Sequence, residues 1–340
     1  MNDSMDHSLE WVAAGYINKQ LAKLIKHLQG ARTARDIEDV HQVRVACRRI
    51  RAAFRLFGDC FESDLTATWQ RQIKKLLKSM GEARDLDVQI EFLQGILEGL
   101  DAEHKKVRPG IRRMMLRWQQ RRNQVQSRVI KAIDKVQKKH LLTNIHIHME
   151  RVLFELTPLE PNPQSPAVRR RAYDQIQLCI RDLLDRQDAL QVTDDIAGHH
   201  SVRIATKKLR YALEICDTAL ENKLKPAIKK IKHLQTVLGD MHDCDVWDAD
   251  INQFIKQEKQ RTIDFYGHPR PFARILPGLQ YLQQERSDRR VALYQQSKAY
   301  LNQLIEESFW LTLPEIVQPE PQNPIQDQQE SYSDEKDTDQ

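Results

Sequence analysis

Two segments of this sequence nearly repeat each other, and the repeat restricts the folds that the chain can adopt. The segment HQVRVACRRIRAAF at 41–54 matches HSVRIATKKLRYAL at 200–213, an offset of 159 residues. A second match follows in the same order, between MGEARDLDV at 80–88 and LGDMHDCDV at 238–246. A shorter third match, FELT with FWLT, lies near the end of each half. Ordered matches at a nearly constant offset predict an internal duplication.

The spacing of apolar residues has the period of a helix throughout both halves. Apolar side chains recur three and four positions apart, and strand-like alternation is nearly absent. Glycine is scarce, with 11 residues in 340, while good helix formers such as Leu, Ala, Gln and Glu are frequent. The predicted fold class is therefore all-α, with two antiparallel helical bundles, one per repeat, related by a pseudo-twofold axis.

The composition divides the chain into four parts. Several prolines in TPLEPNPQSP interrupt the helical pattern between the repeats. Beyond residue 313 the sequence is rich in Pro, Gln and acidic residues, a composition typical of disorder. We predict a first bundle at 8–157, a linker at 158–166, a second bundle at 167–313 and an acidic disordered tail at 314–340.

Local signals also predict where helices of the first bundle begin and end. The repeated segment is expected to form a helix from about residue 37 to 57, followed by helices at about 65–80 and 86–100. Gly81 suits a left-handed position just after a helix, and Asp85 suits the cap of the next one. The second half is expected to follow the same plan.

The first repeated segment predicts a helix with a narrow stripe of positive charge. At 100° per residue its cationic side chains fall within about 80° of one another, flanked by apolar residues on both sides. Like-charged neighbours three or four positions apart oppose an isolated helix by about 0.2–0.5 kcal/mol per pair. Few acidic residues lie nearby in sequence, so we expect an external polyanion to neutralise the stripe. The stripe consists of His41, Arg44, Arg48, Arg51 and Arg55.

The second copy of the stripe differs from the first at one end. Glu214 occupies the position that matches Arg55, so the two copies need not be symmetric. On the first helix, Arg49 lies about 140° away from Arg44, and it is expected to face solvent outside the stripe. The second stripe consists of His200, Arg203, Lys207 and Arg210.

Charge is distributed unevenly along the chain. Residues 315–340 carry eight acidic side chains and one basic one, a net charge of −7. Because the whole chain has a formal net charge of +5, the remainder carries +12. A basic body implies an anionic partner. The acidic tail is also a candidate to fold back on this body as an intramolecular competitor.

Cysteine usage and hydropathy indicate the compartment. Five scattered cysteines without a CxxC pair predict reduced thiols. The N-terminus lacks the pattern of a secretory signal, and no stretch approaches the about 18 consecutive apolar residues of a membrane span. We therefore expect a cytoplasmic protein without a membrane partner.

The paired HxVRxAxxxxRxA segments, each followed by GxxxDxDV, resemble the CHAD family, the conserved histidine α-helical domain. The resemblance covers about residues 8–312 and includes the order of the segments as well as the basic helices. It implies a pair of four-helix bundles with a basic central channel. It also implies non-catalytic binding of inorganic polyphosphate, with no cofactor, and association with polyphosphate granules and the proteins found there.

By this resemblance the two stripes would line the channel. The guanidinium fork of Arg and the point charge of Lys suit phosphate oxygens, and histidines gain charge as the pH falls. A plainer interpretation of each histidine is a buried, hydrogen-bonded helix residue. The primary candidates are His41, Arg44, Arg48, Arg51, His200, Arg203, Lys207 and Arg210. The second-rank candidates are Arg55, Lys74, Lys78, Arg84, Lys232 and His242.

Two alternative functions remain open on the sequence. The basic body permits nucleic-acid binding, although base-stacking aromatic residues are scarce along the stripes, which disfavours it. A metal-dependent phosphohydrolase would need a ligand set, but no P-loop, HExxH, GxSxG or ExExK motif is present. We predict no metal site, and we expect Asp85 and Asp243 to cap helices or to orient the neighbouring cations. Under the phosphohydrolase alternative, the candidate ligands of a divalent ion are Asp85, Asp87, Asp243, Asp245, His146 and His148.

Overall fold

The computed structural model describes residues 6–318, and over this range the chain is helical without strands, which confirms the predicted class. The first half contains α1 (Ser8–Thr33), α2 (Ile37–Leu56), α3 (Ser63–Ser79), α4 (Gly81–Gly99), α5 (Arg108–Lys138) and α6 (Leu141–Leu156). The second half contains α7 (Pro166–Leu184), α8 (Ile196–Cys216), α9 (Lys225–Tyr266), α10 (Leu276–Glu306) and α11 (Phe309–Glu315).

Capping side chains fix where the two motif helices, α2 and α8, begin. Asp36 accepts a hydrogen bond at 2.8 Å from the backbone N–H of Glu38 at the start of α2. Asp195 accepts one at 2.8 Å from the backbone N–H of Gly198 at the start of α8. A carboxylate in this place satisfies a free donor and complements the positive end of the helix dipole. Both motif helices therefore have a start that local sequence determines.

The predicted helix end near residue 80 is present, because α3 ends at Ser79, but the predicted start of the next helix at about residue 86 is wrong. α4 begins at Gly81 directly after Met80, and Asp85 lies inside α4 rather than at its cap. Gly81 does not take a left-handed conformation; among the described glycines only Gly267 does, with φ of 73°. In the second half the matched Gly239 lies within the single long helix α9. Both segments are thus helical, and their side chains project at helical spacing.

The helices pack as two antiparallel groups that share one core. α1 packs against α2 and α6, while α8 packs against α7 and α9. α2 also contacts α8, so the two motif helices meet where the groups join. A continuous cluster of buried apolar side chains runs through both groups. The junction of the motif helices is therefore held by core on either side.

A second apolar cluster joins four helices, α4 and α5 from the first group and α9 and α10 from the second. Here α5 and α10 cross with their backbones in contact. A Cβ atom on Gly110 would lie 2.1 Å from the carbonyl oxygen of Ile275 and 2.9 Å from the Cα atom of Gly278. Real Cβ atoms do not approach backbone so closely, so this crossing requires glycine.

The folded part of the chain continues beyond the predicted start of the tail. α11 extends to Glu315, and Pro314 and Val317 are buried against the core. The boundary predicted at residue 314 is thus a few residues too early, because these side chains complete the packing of α11. The rest of the predicted tail, 319–340, lies outside the described residues.

The described residues also bear on the membrane and thiol predictions. Within 6–318, no helix combines the length and apolar character needed to cross a bilayer. The five cysteines all fall in this range, and they are free thiols. Burial raises the pKa of Cys47 and of Cys216 to about 12, so these two thiols are held in the protonated form.

Candidate anion-binding site

The first stripe lies at the edge of the buried face of α2. Cys47 and Ile50 are fully buried in the core. Arg44 and Arg48 are half-buried, so their guanidinium groups emerge beside this apolar surface. An arginine stem packs well on apolar side chains while its charged end remains near solvent. The stripe therefore follows the boundary between core and solvent.

The second stripe has a similar position on α8. Leu209 is fully buried, whereas Arg203 and Lys207 are half-buried beside it. His200 reaches across to His242 of α9, with 3.4 Å between their Nδ1 atoms and 4.5 Å between the ring centroids. Two imidazole rings in contact disfavour double protonation, because each would carry positive charge next to the other.

A cavity of 1210 Å³ lies where α2, α4, α5, α8 and α9 meet. It brings together predicted site residues from both halves of the sequence, and the remaining candidates lie outside its lining. The predicted residues that line it are His41, Arg44, Arg48, Arg84, Arg203 and His242. The candidates outside the lining are Arg51, Arg55, His200, Lys207 and Arg210, along the two stripes, and Lys74, Lys78 and Lys232, which are exposed on α3 and α9.

Two guanidinium groups in the stripes have buried N–H groups that make no hydrogen bond. The Nε atoms of Arg48 and Arg210 are shielded from solvent, and neither makes a hydrogen bond to any group in the described part of the chain. An unsatisfied buried donor costs about 1–3 kcal/mol, and more when it is charged. Nε of Arg210 lies 3.4 Å from a carboxylate oxygen of Glu214, whereas no described carboxylate pairs with Arg48, so Arg48 is the guanidinium that most favours a nearby anion.

Burial, followed by the crowding of cations, lowers the pKa values of Lys207, His242 and His41. Burial lowers the pKa of Lys207 to about 8, and repulsion by Arg203 and other arginines adds to the effect. Burial also lowers the pKa of His242 to about 4, with Arg203 and His200 contributing. The pKa of His41 is lowered mainly by burial as well. The unliganded site therefore disfavours full protonation, and a bound anion would reverse these shifts.

The first aspartate of each DxD pair faces the cavity. An Asp85 oxygen lies 3.9 Å from Nη2 of Arg44, and Asp243 lines the cavity from α9. The Asp85 side chain is 69% exposed, and partial desolvation by the cavity walls raises the pKa values of Asp85 and Asp243 despite the attraction of Arg44 and Arg203. The two carboxyl groups thus lie among the cations without neutralising them all.

The second aspartate of each pair has a structural partner. Asp87 is buried and accepts a hydrogen bond at 2.5 Å from Nε of Arg122 on α5. Asp245 accepts one at 2.5 Å from Nε of Arg290 on α10. Each bond ties the motif segment to the following helix. The two aspartates, two positions apart in sequence, therefore have different roles.

The glycine of each motif leaves room for an arginine of the stripe. A Cβ atom on Gly81 would lie 3.2 Å from Nη1 of Arg44, and one on Gly239 would lie 3.9 Å from Nε of Arg203. The first distance is tighter than ordinary contact. Gly81 thus leaves room for the Arg44 side chain to lie across α4. This role differs from the predicted one, in which Gly81 ends a helix.

A second group of arginines at the cavity has no clear sequence signal. Arg117 and Arg121 of α5 and Arg261 of α9 line it. Arg117 and Arg261 both pair with Glu258, whose side chain is only 4% exposed. The sequence shows a long basic stretch over α5, yet the face that meets α9 depends on how the two helices pack.

The prediction that Arg49 faces solvent is wrong. Its Nε and Nη2 atoms donate to Glu214 of α8 at 3.1 and 2.9 Å. The side of α2 that carries Arg49 is covered by α8, which a single helical wheel does not reveal. Arg49 thus links the two helical groups.

The other metal-ligand candidates have partners of their own. Nδ1 of His146 lies 2.6 Å from Oδ1 of Asn18, and His148 packs edge-on against Trp69 and Phe61. Across residues 6–318 no three His, Cys, Asp or Glu side chains are grouped closely enough to hold a metal ion.

Comparison with known proteins identifies relatives of this arrangement. The CHAD domain model matches residues 15–251. The chain is similar to the crystal structure of the CHAD domain from the plant Ricinus communis, with a TM-score of 0.59, 21% sequence identity, and coverage of 87% of this chain and 92% of that chain. It is also similar to PptA from Streptomyces chartreusis, with a TM-score of 0.53, 16% identity, and coverage of 84% and 97%. No curated protein sequence matches it.

Proposed function

This chain belongs to the CHAD domain family, and on that premise we propose that it binds inorganic polyphosphate along the two cationic stripes without converting it. The observation that carries the proposal is the crowding of half-buried cations from both stripes, among them Arg48, whose buried Nε makes no hydrogen bond and no ion pair to any described residue. Charged donors held in this way favour a ligand with many anionic oxygens. Polyphosphate has such oxygens on every unit.

The length of the stripe favours a linear ligand over a single phosphate. His41 and Arg55 are fourteen positions apart on α2, which at 1.5 Å per residue is about 21 Å. Cations spread over this distance suit a chain of phosphates that contacts several of them at once. Arginines dominate the first stripe, and their forks bind phosphate oxygens in pairs.

The aromatic residues at the cavity favour polyphosphate over nucleic acid. Trp118 and Trp247 pack on each other with 4.8 Å between centroids, and Trp247 is buried. Their faces are thus largely occupied, whereas single-stranded nucleic acid binds on free aromatic faces. We further propose that polyphosphate binding takes place in the cytoplasm and brings the protein to polyphosphate granules, where partner proteins would meet it.

A competition experiment tests the proposed function. Labelled RNA bound to the full-length protein should be displaced by polyphosphate of matched total charge at near-stoichiometric amounts and physiological salt. Retention of RNA against excess polyphosphate would favour the nucleic-acid function instead. A parallel incubation with Mg²⁺ or Mn²⁺ should release no phosphate, since release would show hydrolysis.

Polyphosphate binding is expected to depend on pH through Lys207 and His242. A bound polyanion raises the pKa of each group, so binding takes up protons and affinity increases as the pH falls. For Lys207 the free pKa is about 8, so its contribution is complete below pH 8 and is lost as the pH rises above it. For His242 the free pKa is about 4, so its contribution grows as the pH falls from neutral toward that value. Calorimetry in buffers of different ionisation enthalpy measures the proton uptake.

Two conservative variants separate these contributions. Lys207→Arg should remove most of the loss of affinity between pH 8 and 10, because arginine stays charged there. His242→Gln should remove part of the gain of affinity below pH 7, and the loss of affinity above pH 8 should remain as in the wild type. Identical pH profiles in all three proteins would contradict the expected linkage.

A further inference from the structure

A carboxylate interrupts the second stripe at one end. Glu214 follows Arg210 by one helical turn on the same face of α8, and its side chain is only 16% exposed. One of its oxygens accepts both hydrogen bonds from Arg49 of α2, and the other lies 3.4 Å from Nε of Arg210. The charges of two arginines are thus partly neutralised within the protein, at the contact between the two motif helices.

The corresponding end of the first stripe remains positive. Arg55 occupies the position that matches Glu214, and it makes no ion pair with any described residue. Burial is the main cause of its lowered pKa, with repulsion by Arg51 next. Tyr211 of α8 acts in the opposite direction and raises the pKa of Arg55. The two stripes therefore end differently, one in a cation and one in an ion-paired carboxylate.

Further cations near Glu214 lie on α1. Lys19 and Lys23 are exposed on α1, and neither has an ion-pair partner within residues 6–318. The pKa of Lys23 is lowered by burial and then by Arg49 and Lys19, while Glu214 opposes the shift. Glu214 thus lies between the stripe on α8 and a second set of cations on α1. Without its charge, positive groups would continue from Arg210 through Arg49 to α1.

We propose that Glu214 ends the polyphosphate-binding stripe and thereby limits how many phosphates a bound chain places on the protein. The inference rests on the proposed function. A phosphate bound beyond Arg210 would lie next to the carboxylate of Glu214, and two negative charges close together repel each other. It also finds Arg49 already paired. The chain therefore leaves the surface at the Glu214 end, whereas at the Arg55 end it continues into solvent past an available cation.

The test compares Glu214→Gln with the wild-type protein on polyphosphates of graded length. Glutamine keeps the size of the side chain and removes its charge. Wild-type affinity is expected to stop increasing at a shorter chain length than the affinity of the variant. With long chains, the slope of log K against log salt should steepen by about 0.7–1.4 in the variant, as one or two additional phosphate contacts would produce.

Matched variants distinguish this effect from a general change in charge. Asp174→Asn gives the same change in net charge at an exposed pair on α7, where Nε of Arg170 lies 3.0 Å from Asp174, and it should keep the wild-type limit. Glu214→Asp retains the charge and should also keep it. Adding Lys19→Gln and Lys23→Gln to Glu214→Gln should restore the shorter polyphosphate length at which affinity stops increasing, because the cations on α1 are then removed.

The outcomes separate this inference from the function on which it rests. If the wild type binds polyphosphate but Glu214→Gln and Asp174→Asn show the same length limit and salt slope, Glu214 does not end the site and the inference is overturned alone. If the wild type fails to bind polyphosphate of any length, the proposed function is overturned as well. Thermal unfolding of each variant checks that a change in its affinity for polyphosphate does not result from unfolding.

Discussion

Replacing Arg48 and Lys207 together with glutamine is expected to weaken polyphosphate binding by at least about 100-fold, since the two lost charge-assisted hydrogen bonds contribute about 1.5–3 kcal/mol each. Neither residue makes an ion pair with a described residue, so the change removes no internal partner. It also relieves repulsion among neighbouring arginines, which already lowers the pKa of Lys207. The free energy of unfolding should therefore stay constant or rise while binding falls. Titration calorimetry and urea unfolding of the same samples measure both quantities.

The control for this double variant removes two cations elsewhere. Lys131 and Lys138 are exposed on α5, about two and four turns beyond the cavity-lining Gln124. Changing both to glutamine alters net charge equally but should reduce binding only slightly. The slope of log K against log salt should flatten by about 1.4 in the site variant, as expected for two lost phosphate contacts. Equal losses in the two double variants would argue for diffuse attraction and against a defined site.

Gly110→Ala is expected to destabilise the fold by about 3 kcal/mol, at the upper end for overpacking. The added methyl would meet the backbone carbonyl of Ile275 at 2.1 Å, and a backbone atom has no rotamer with which to move away. α5 and α10 would have to separate, which opens the apolar cluster that joins the two helical groups. Urea unfolding measures the loss as a lower midpoint.

Gly95→Ala is the matched control for this substitution. Gly95 lies within α4, and a Cβ atom there would contact nothing within 4 Å. Alanine in a helix interior is more favourable than glycine by about 0.8–1.0 kcal/mol, so this variant should be more stable than the wild type. If Gly110→Ala also gained stability, the close contact between α5 and α10 would be contradicted.

Much of the fold follows from local sequence. The helical period predicts the class, and Asp36 and Asp195 mark the starts of the motif helices because capping depends on the next three residues. The position of Arg44 and Arg48 on one stripe follows from helix geometry alone. Local preference places Gly81 at a helix end and Asp85 at a helix cap, but both lie inside α4. Local preferences of single residues are weak, and tertiary packing can override them.

The amino-acid sequence is enough to predict that the chain is helical, that each half carries a cationic stripe, and that the two stripes differ at Glu214. Helical periodicity and capping act over a few residues, so the linear order of side chains is enough to specify them. The pairing of Arg49 with Glu214, and that of Arg117 and Arg261 with Glu258, depend on how the helices pack in three dimensions. The contacts of Arg49 with Glu214 and of Arg117 with Glu258 join residues 165 and 141 positions apart in sequence, and the rotation and offset of packed helices depend on the whole core.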